Sequence, residues 1–267
     1  MPQVYSPVSL FRKVLARTGV IASPFRGLPD KLLRYESLYD RVTGGYCANP
    51  MTRTPDYGSV EVEVGRLWYS LVMMLRPHRV LETGTHRGYS TCCIASALRD
   101  LHAADGGERV LTTIDPATYD HLWEGTDIAR FIRWVPKTSF DAAKEFEGQR
   151  FDLLVLDSDH HYDTIIFELM AFEPLLKERG TILLHDSLYF DGVGAAVEQI
   201  RQNPRFDCVT LPTPRVHENP PRRCPGITIV SKHKDGEPRL AFDERFKGWN
   251  TGDTVTTPYL WKANRDG

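Results

Sequence analysis

The 267-residue sequence has no apolar run near the roughly 18 residues that a membrane helix needs, so a membrane is not an expected partner. Its first thirty residues scatter Arg12, Lys13, Arg17 and Arg26 among apolar residues and lack the continuous apolar stretch of a secretory signal. Cysteine is scarce. Cys47, Cys92, Cys93, Cys208 and Cys224 are odd in number and contain no CxxC pair, which argues against a disulfide framework or a zinc site. The expected location is therefore the reducing cytoplasm. An excess of one charge is missing too. With 33 basic against 35 acidic residues the net charge is -2, so a protein that neutralises many phosphates, and hence a nucleic-acid partner, is not expected. What is present is 41% hydrophobic and 25% charged residues, a composition that supports one sizeable core.

Three textures divide the chain. Residues 1–58 are irregular, punctuated by Gly44-Gly45, Asn49-Pro50 and Thr54-Pro55, and are expected to form a cap. The stretch from Gly44 to Gly58 is either a lid over the substrate or an ordinary surface loop. Residues 59–231 alternate strand and helix patterns, and 232–267 form a C-terminal extension. In the middle region Ser59 is the expected N-cap of a helix with apolar residues at Val64, Leu67, Trp68, Leu71, Val72 and Leu75, stopped by Pro77. Strands are expected at 79–83, 110–114, 131–135, 152–156, 181–184, 207–211 and 227–230. Helices are expected at 89–99, from Ser139, at 162–177 and at 193–201. Alternation of this kind implies crossovers and a parallel sheet, with ligands at the carboxyl ends of the strands.

The loop after the first strand reads Glu82-Thr83-Gly84-Thr85-His86-Arg87-Gly88-Tyr89-Ser90. His86 and Tyr89 stand where a dinucleotide fingerprint needs glycine, and no GxxxxGK loop occurs. The pattern fits a loop that wraps a nucleoside cofactor lacking phosphates, with Asp115 at the tip of the second strand accepting from its ribose. Glu82 can orient the loop or meet the cofactor's ammonium. The plain alternative is a tight strand–helix turn.

Glu-x-Gly-x-x-x-Gly-x-Ser followed by Ile114-Asp115 resembles the class I methyltransferases that use S-adenosyl-L-methionine. The segments 151–162 and 180–186 resemble the group that joins the cephalosporin hydroxylases, the macrocin-type O-methyltransferases and the family-24 methyltransferases. The resemblance covers about residues 59–231. It implies an α/β, Rossmann-like fold with helices on both faces of a seven-stranded, mostly parallel sheet whose last strand is antiparallel. It also implies S-adenosylmethionine contacts from Glu82, Gly84, Thr85, Gly88, Ser90, Asp115, Ser139 and Asp157. Ser139 can equally be a helix N-cap.

Asp157 and Asp186 end consecutive strands. Neighbouring strands lie about 4.8 Å apart, so both carboxylates can reach one ion. The resemblance implies a divalent metal, magnesium or another, held by Asp157, His185 and Asp186. Histidine at 185 departs from the usual oxygen ligand and suits softer metals. The base that takes the acceptor's proton is expected to be His160 or Asp159, unless the Asp159-His160-His161 loop is only a solvated turn. The activity implied is O-methylation of a hydroxyl on a small molecule such as a sugar or glycosylated natural product. Two alternatives are a metal-independent transferase with a nitrogen or carbon acceptor and a non-catalytic cofactor-binding protein. An iron hydroxylase using His160, His185 and Asp186 is a weaker one. Dimers are the commonest assembly, and the sequence leaves the oligomeric state open.

Overall fold

The computed structural model describes residues 60–86, 88–117, 121, 123–214, 216 and 222–252. The expected cap and lid, Ser59, Cys47 and Arg87 lie outside the described residues.

Helix α1 (Val62–Leu75) buries Val64, Trp68 and Val72, three positions on one helical stripe. The chain then alternates as expected: β1 (Arg79–Thr83), α2 (Tyr89–Asp105), β2 (Val110–Ile114), β3 (Ile132–Val135), the single-turn α3 (Ser139–Ala142), β4 (Phe151–Leu156), α4 (Tyr162–Phe172), β5 (Leu176–His185), α5 (Asp191–Gln202), β6 (Phe206–Leu211) and β7 (Ile227–Lys232). The seven strands form one sheet in the order β3-β2-β1-β4-β5-β7-β6. Strands β1 to β5 pair in parallel, and β7 runs antiparallel between β5 and β6.

Successive strand residues point to opposite faces. Val80, Leu153 and Val155 enter one apolar layer, beneath α1 and α2. Leu81, Leu154 and Leu156 enter the other, beneath α4 and α5. Both faces are covered, which is why these strands read as continuous apolar runs. Cys92 and Cys93 are fully buried in the first layer.

Strand order reverses between β1 and β4. The crevice at their carboxyl ends is the topological switch point, where open α/β sheets bind ligands. It brings the glycine loop after β1 beside the acidic loop after β4.

Several expected boundaries move. Helix α2 runs on to Asp105 because Leu101 continues its buried face, and Gly106 ends it in a left-handed conformation. Helix α4 stops at Phe172, and a 3₁₀ turn containing Pro174 leads into β5 at Leu176. Thr138, not Ser139, caps α3: its hydroxyl accepts from the Asp141 N–H. The adjacent Arg222 and Arg223 differ. Arg222 is exposed, while Arg223 pairs with the buried Asp191 at 3.0 Å. Residues 233–252 pack on the domain. Trp249 O accepts from Tyr162 N, and Asn250 O from Gly192 N. Among the described residues no helix is long and apolar enough to cross a membrane.

Candidate active site

The glycine loop is shaped by two backbone positions. Gly84 (φ 83°) passes so close to β4 that a Cβ there would stand 1.8 Å from Asp157 O. Gly88 (φ 87°) opens α2, and a Cβ there would stand 2.1 Å from the Trp123 ring. Both need glycine for conformation and for space. Thr85 and Thr113 share a hydroxyl contact of 2.6 Å. Asp115 accepts from His86 N at 2.7 Å and from Ala117 N at 2.8 Å. It therefore locks the loop against the end of β2. Gly84, Thr85, Gly88, Ser90 and Asp157 all line a narrow cleft at this end of the sheet.

Glu82 lies beneath the loop, buried. Ser90 Oγ and Thr91 Oγ1 donate to its two oxygens at 2.7 and 2.6 Å, tying β1 to the first turn of α2. Burial pushes its carboxyl up to about 7, although the hydroxyls of Thr91 and Ser90 pull it down. Of its two expected roles the geometry supports loop orientation.

A second buried carboxyl, Glu168 on α4, was not singled out from the sequence. It accepts from Thr83 Oγ1 at 2.9 Å, Ser139 Oγ at 2.5 Å and Ser158 Oγ at 2.6 Å. One side chain thus joins the ends of β1 and β4 to the loop after β3. Burial pushes it up to about 7 as well, against those three hydroxyls. Ser139 is spent on this network.

The acid–histidine cluster adjoins the cleft. His160 Nε2 lies 2.9 Å from Asp186 Oδ2 and 3.7 Å from Asp157 Oδ1. Its ring stacks on Phe190, with centroids 4.0 Å apart. Burial pulls the imidazole down, but the fields of Asp186 and Asp157 outweigh it and push it up to about 10. His185 Nδ1 sits 3.3 Å from Asp157 Oδ1 and 3.2 Å from Asp186 Oδ2. Its Nε2 donates to Glu61 Oε2 at 2.8 Å. Glu61, which immediately precedes α1, makes no capping bond; its side chain reaches across to β5. Burial lowers the basicity of His185, but Asp186, Asp157 and Glu61 together raise it well above the usual imidazole range. Burial raises Asp186, and His185 and His160 overcome it, so its carboxyl is held well below the usual range.

The two expected bases separate. His160 joins the cluster. Asp159 turns away, accepting from His161 N and facing His161 Nδ1 at 2.6 Å and Thr164 Oγ1 at 3.2 Å. Asp157, His160 and Asp186 offer ligand atoms within 4.8 Å of one another, so two carboxylates and an imidazole suit a divalent first-row metal. His185 stands behind them, its far nitrogen committed to Glu61.

Residues 81–187 match a family described as a methyltransferase domain. The matched stretch runs from β1 to just past the end of β5, and so includes both the glycine loop and the acid–histidine cluster. The O-methyltransferase of Bacillus cereus, solved in complex with SAH, is similar to the chain with a TM-score of 0.57 and 17% identity, over 84% of this chain and 97% of that one. The O-methyltransferase TomG of Streptomyces achromogenes, solved with SAM, gives 0.57 and 15%, over 86% and 100%. Catechol O-methyltransferase B of Danio rerio is 31% identical over 156 residues, 53% of this chain and 54% of that protein. A second relative, the uncharacterized protein y4gI of Sinorhizobium fredii, is 29% identical over 133 residues, 44% of this chain and 14% of that protein. The chain thus spans about half or less of the length of these curated relatives. In the domain's frame the loop Gly84–Gly88 and Asp115 occupy the switch-point crevice, and the acid–histidine cluster opens beside it.

Proposed function

We propose that the chain transfers the methyl group of S-adenosylmethionine to a hydroxyl of a small molecule. The observation that carries the reading is the double place of Asp157. It lines the cleft with the glycine loop, and its carboxylate belongs to the acid–histidine cluster. A methyl donor and a proton acceptor then meet at one strand end.

The acceptor oxygen attacks the methyl carbon in line with the departing sulfur. The new C–O bond forms as the S–C bond breaks, and S-adenosylhomocysteine leaves. The hydroxyl proton passes to the cluster. His160 is the proposed acceptor: its Nε2 lies 2.9 Å from Asp186 and 3.7 Å from Asp157, and these carboxylates favour the imidazolium it becomes. Three carboxyl side chains, Glu61, Asp157 and Asp186, face the two imidazoles of His160 and His185. Carboxylates next to the cleft favour a cationic sulfonium there. In a metal-bound form Asp157, His160 and Asp186 would instead hold a divalent cation, which would supply Lewis-acid activation of the acceptor hydroxyl.

The acceptor proposed is a sugar or glycosylated natural product. Its support is the likeness of residues 151–162 and 180–186 to the macrocin-type group. The test is transfer of labelled methyl from S-adenosylmethionine to a panel of sugars, glycosides and catechols, with and without a chelator. Methylated glycoside supports the reading. A methylated catechol alone would move the acceptor class toward that named by the Danio rerio relative. Cofactor binding with no product from any acceptor would favour a non-catalytic protein.

A further inference from the structure

A second cavity lies at the other end of the sheet. It opens at the amino ends of β1 and β2 and has a volume of about 540 Å³, within the usual range for small-molecule sites. The length of β1, roughly 17 Å at about 3.3 Å per residue, separates it from the glycine loop. The chemistry described above does not use it.

Its wall is cationic. Arg79, Arg109 and Arg130 line it together with His78, His102 and Phe131. Arg130 is exposed, lies 4.8 Å over the Phe131 ring and meets no carboxylate among the described residues. Arg79 contacts the Gln149 amide at 2.5 Å and the Phe151 ring, again with no acid partner among the described residues. Arg109 is buried, with 7% exposed, and shares Asp105 with Arg76. The Nε atoms of Arg79 and Arg109 are both buried without a hydrogen-bond partner. Unmet buried donors cost free energy, and a bound acceptor would relieve them.

The acids nearby do not balance these charges. Asp105 and the exposed Glu108 stand against Arg76, Arg79, Arg109 and Arg130, an excess of two positive charges on a chain whose net charge is -2. Asp152 is matched by Lys177 at 2.6 Å. The imidazoles are held in place by the backbone. His78 Nδ1 faces Glu108 O at 3.0 Å, and His102 Nδ1 faces Gly107 O at 2.9 Å. A carbonyl only accepts, so each Nδ1 carries a hydrogen and Nε2 remains as the second polar atom of the ring. Guanidinium groups in such numbers recognise phosphate and carboxylate oxygens through paired N–H donors.

We propose that this cavity is a second ligand site, for a small organic anion carrying a phosphate or carboxylate group. It is independent of the cofactor cleft.

The test is calorimetry on the full chain at low salt, with phenyl phosphate and benzoate as probes, each with and without S-adenosylhomocysteine. The two probes share a ring and differ in the anion, so they distinguish the two chemistries. At least one is expected to bind saturably, with a Kd below about 1 mM, and to do so whether or not S-adenosylhomocysteine is present. Arg130→Glu, on an exposed turn, should weaken binding by about tenfold or more and leave S-adenosylhomocysteine affinity unchanged. Arg79→Gln should weaken it as well. Absence of saturable binding by either probe would overturn the proposal. So would equal binding to wild type and both variants, or displacement of the probe by S-adenosylhomocysteine.

Discussion

Glu61 and His185 meet across 124 positions of sequence, with Oε2 of the acid 2.8 Å from Nε2 of the imidazole and both side chains almost fully buried. The pair holds the ring so that its other nitrogen faces Asp157 and Asp186. A carboxylate behind a histidine fixes ring orientation and proton position, and so sets the basicity of whatever the ring touches. Glu61 is therefore a positioning residue for the acid–histidine cluster.

Glu61→Ala leaves His185 Nε2 buried without its acceptor, while Asp157 and Asp186 still face the other ring nitrogen. The expected loss of stability is about 1–3 kcal/mol, read from urea unfolding. Glu61→Gln keeps an acceptor for Nε2 and should lose less. If the two variants unfold alike, the pair does not stabilise the fold.

The two glycines Gly84 and Gly106 give a matched comparison. Both have positive φ, 83° and 72°, but only Gly84 has a backbone atom in the place of a Cβ. Gly106→Ala should cost about 1–2 kcal/mol for the left-handed conformation alone. Gly84→Ala should add displacement of the Asp157 backbone, exceed that figure and abolish S-adenosylhomocysteine binding. Equal costs, measured by denaturant unfolding, would show that the loop gives way freely.

Strand ends were legible in the sequence because the parallel strands are buried on both faces. β2 lies at the expected 110–114, and Asp157 and Asp186 follow strands as the pattern requires. The start of β5 was not legible. The expected helix runs to Lys177 and the expected strand begins at Thr181, but β5 takes in Lys177, Glu178 and Arg179 with a register shift opposite β4 and Arg179 at φ 62°. Glu61 and Glu168 were missed because acids on helices are ordinarily solvated. A signal was present. Glu61 shares a helical stripe with Val64, Trp68 and Val72, and Glu168 one with Ile165, Leu169 and Phe172. An acid on an apolar stripe needs a buried partner, and in both cases that partner lies far along the chain.

Glu82 and Glu168 make stability depend on pH. Each carboxyl titrates near 7 when folded and near 4.5 in an unfolded chain. Between those values the folded state binds more protons, so the contribution is fully present below about 4.5 and is lost as pH rises through 7. The loss amounts to about 3 kcal/mol per group. Glu168→Gln should flatten the fall of Tm between pH 5 and 7.5, in roughly the proportion of one group in two. A Tm profile with unchanged slope would contradict this.

His160→Ala should lower methyl transfer by about 10²–10⁴-fold while leaving S-adenosylhomocysteine affinity unchanged. A parallel fall in affinity would place His160 in cofactor binding instead. The same assay on Asp159→Ala should show a much smaller loss, since that carboxylate is turned to His161 and Thr164.

The account rests on cofactor capture at the end of β1. Isothermal titration of the protein with S-adenosylhomocysteine tests it most directly. Saturable binding at one site per chain is predicted, weakened in Asp115→Ala by about 1.5–3 kcal/mol for each charge-assisted hydrogen bond lost. Absence of binding by the wild-type protein, or undiminished affinity in the variant, would contradict it.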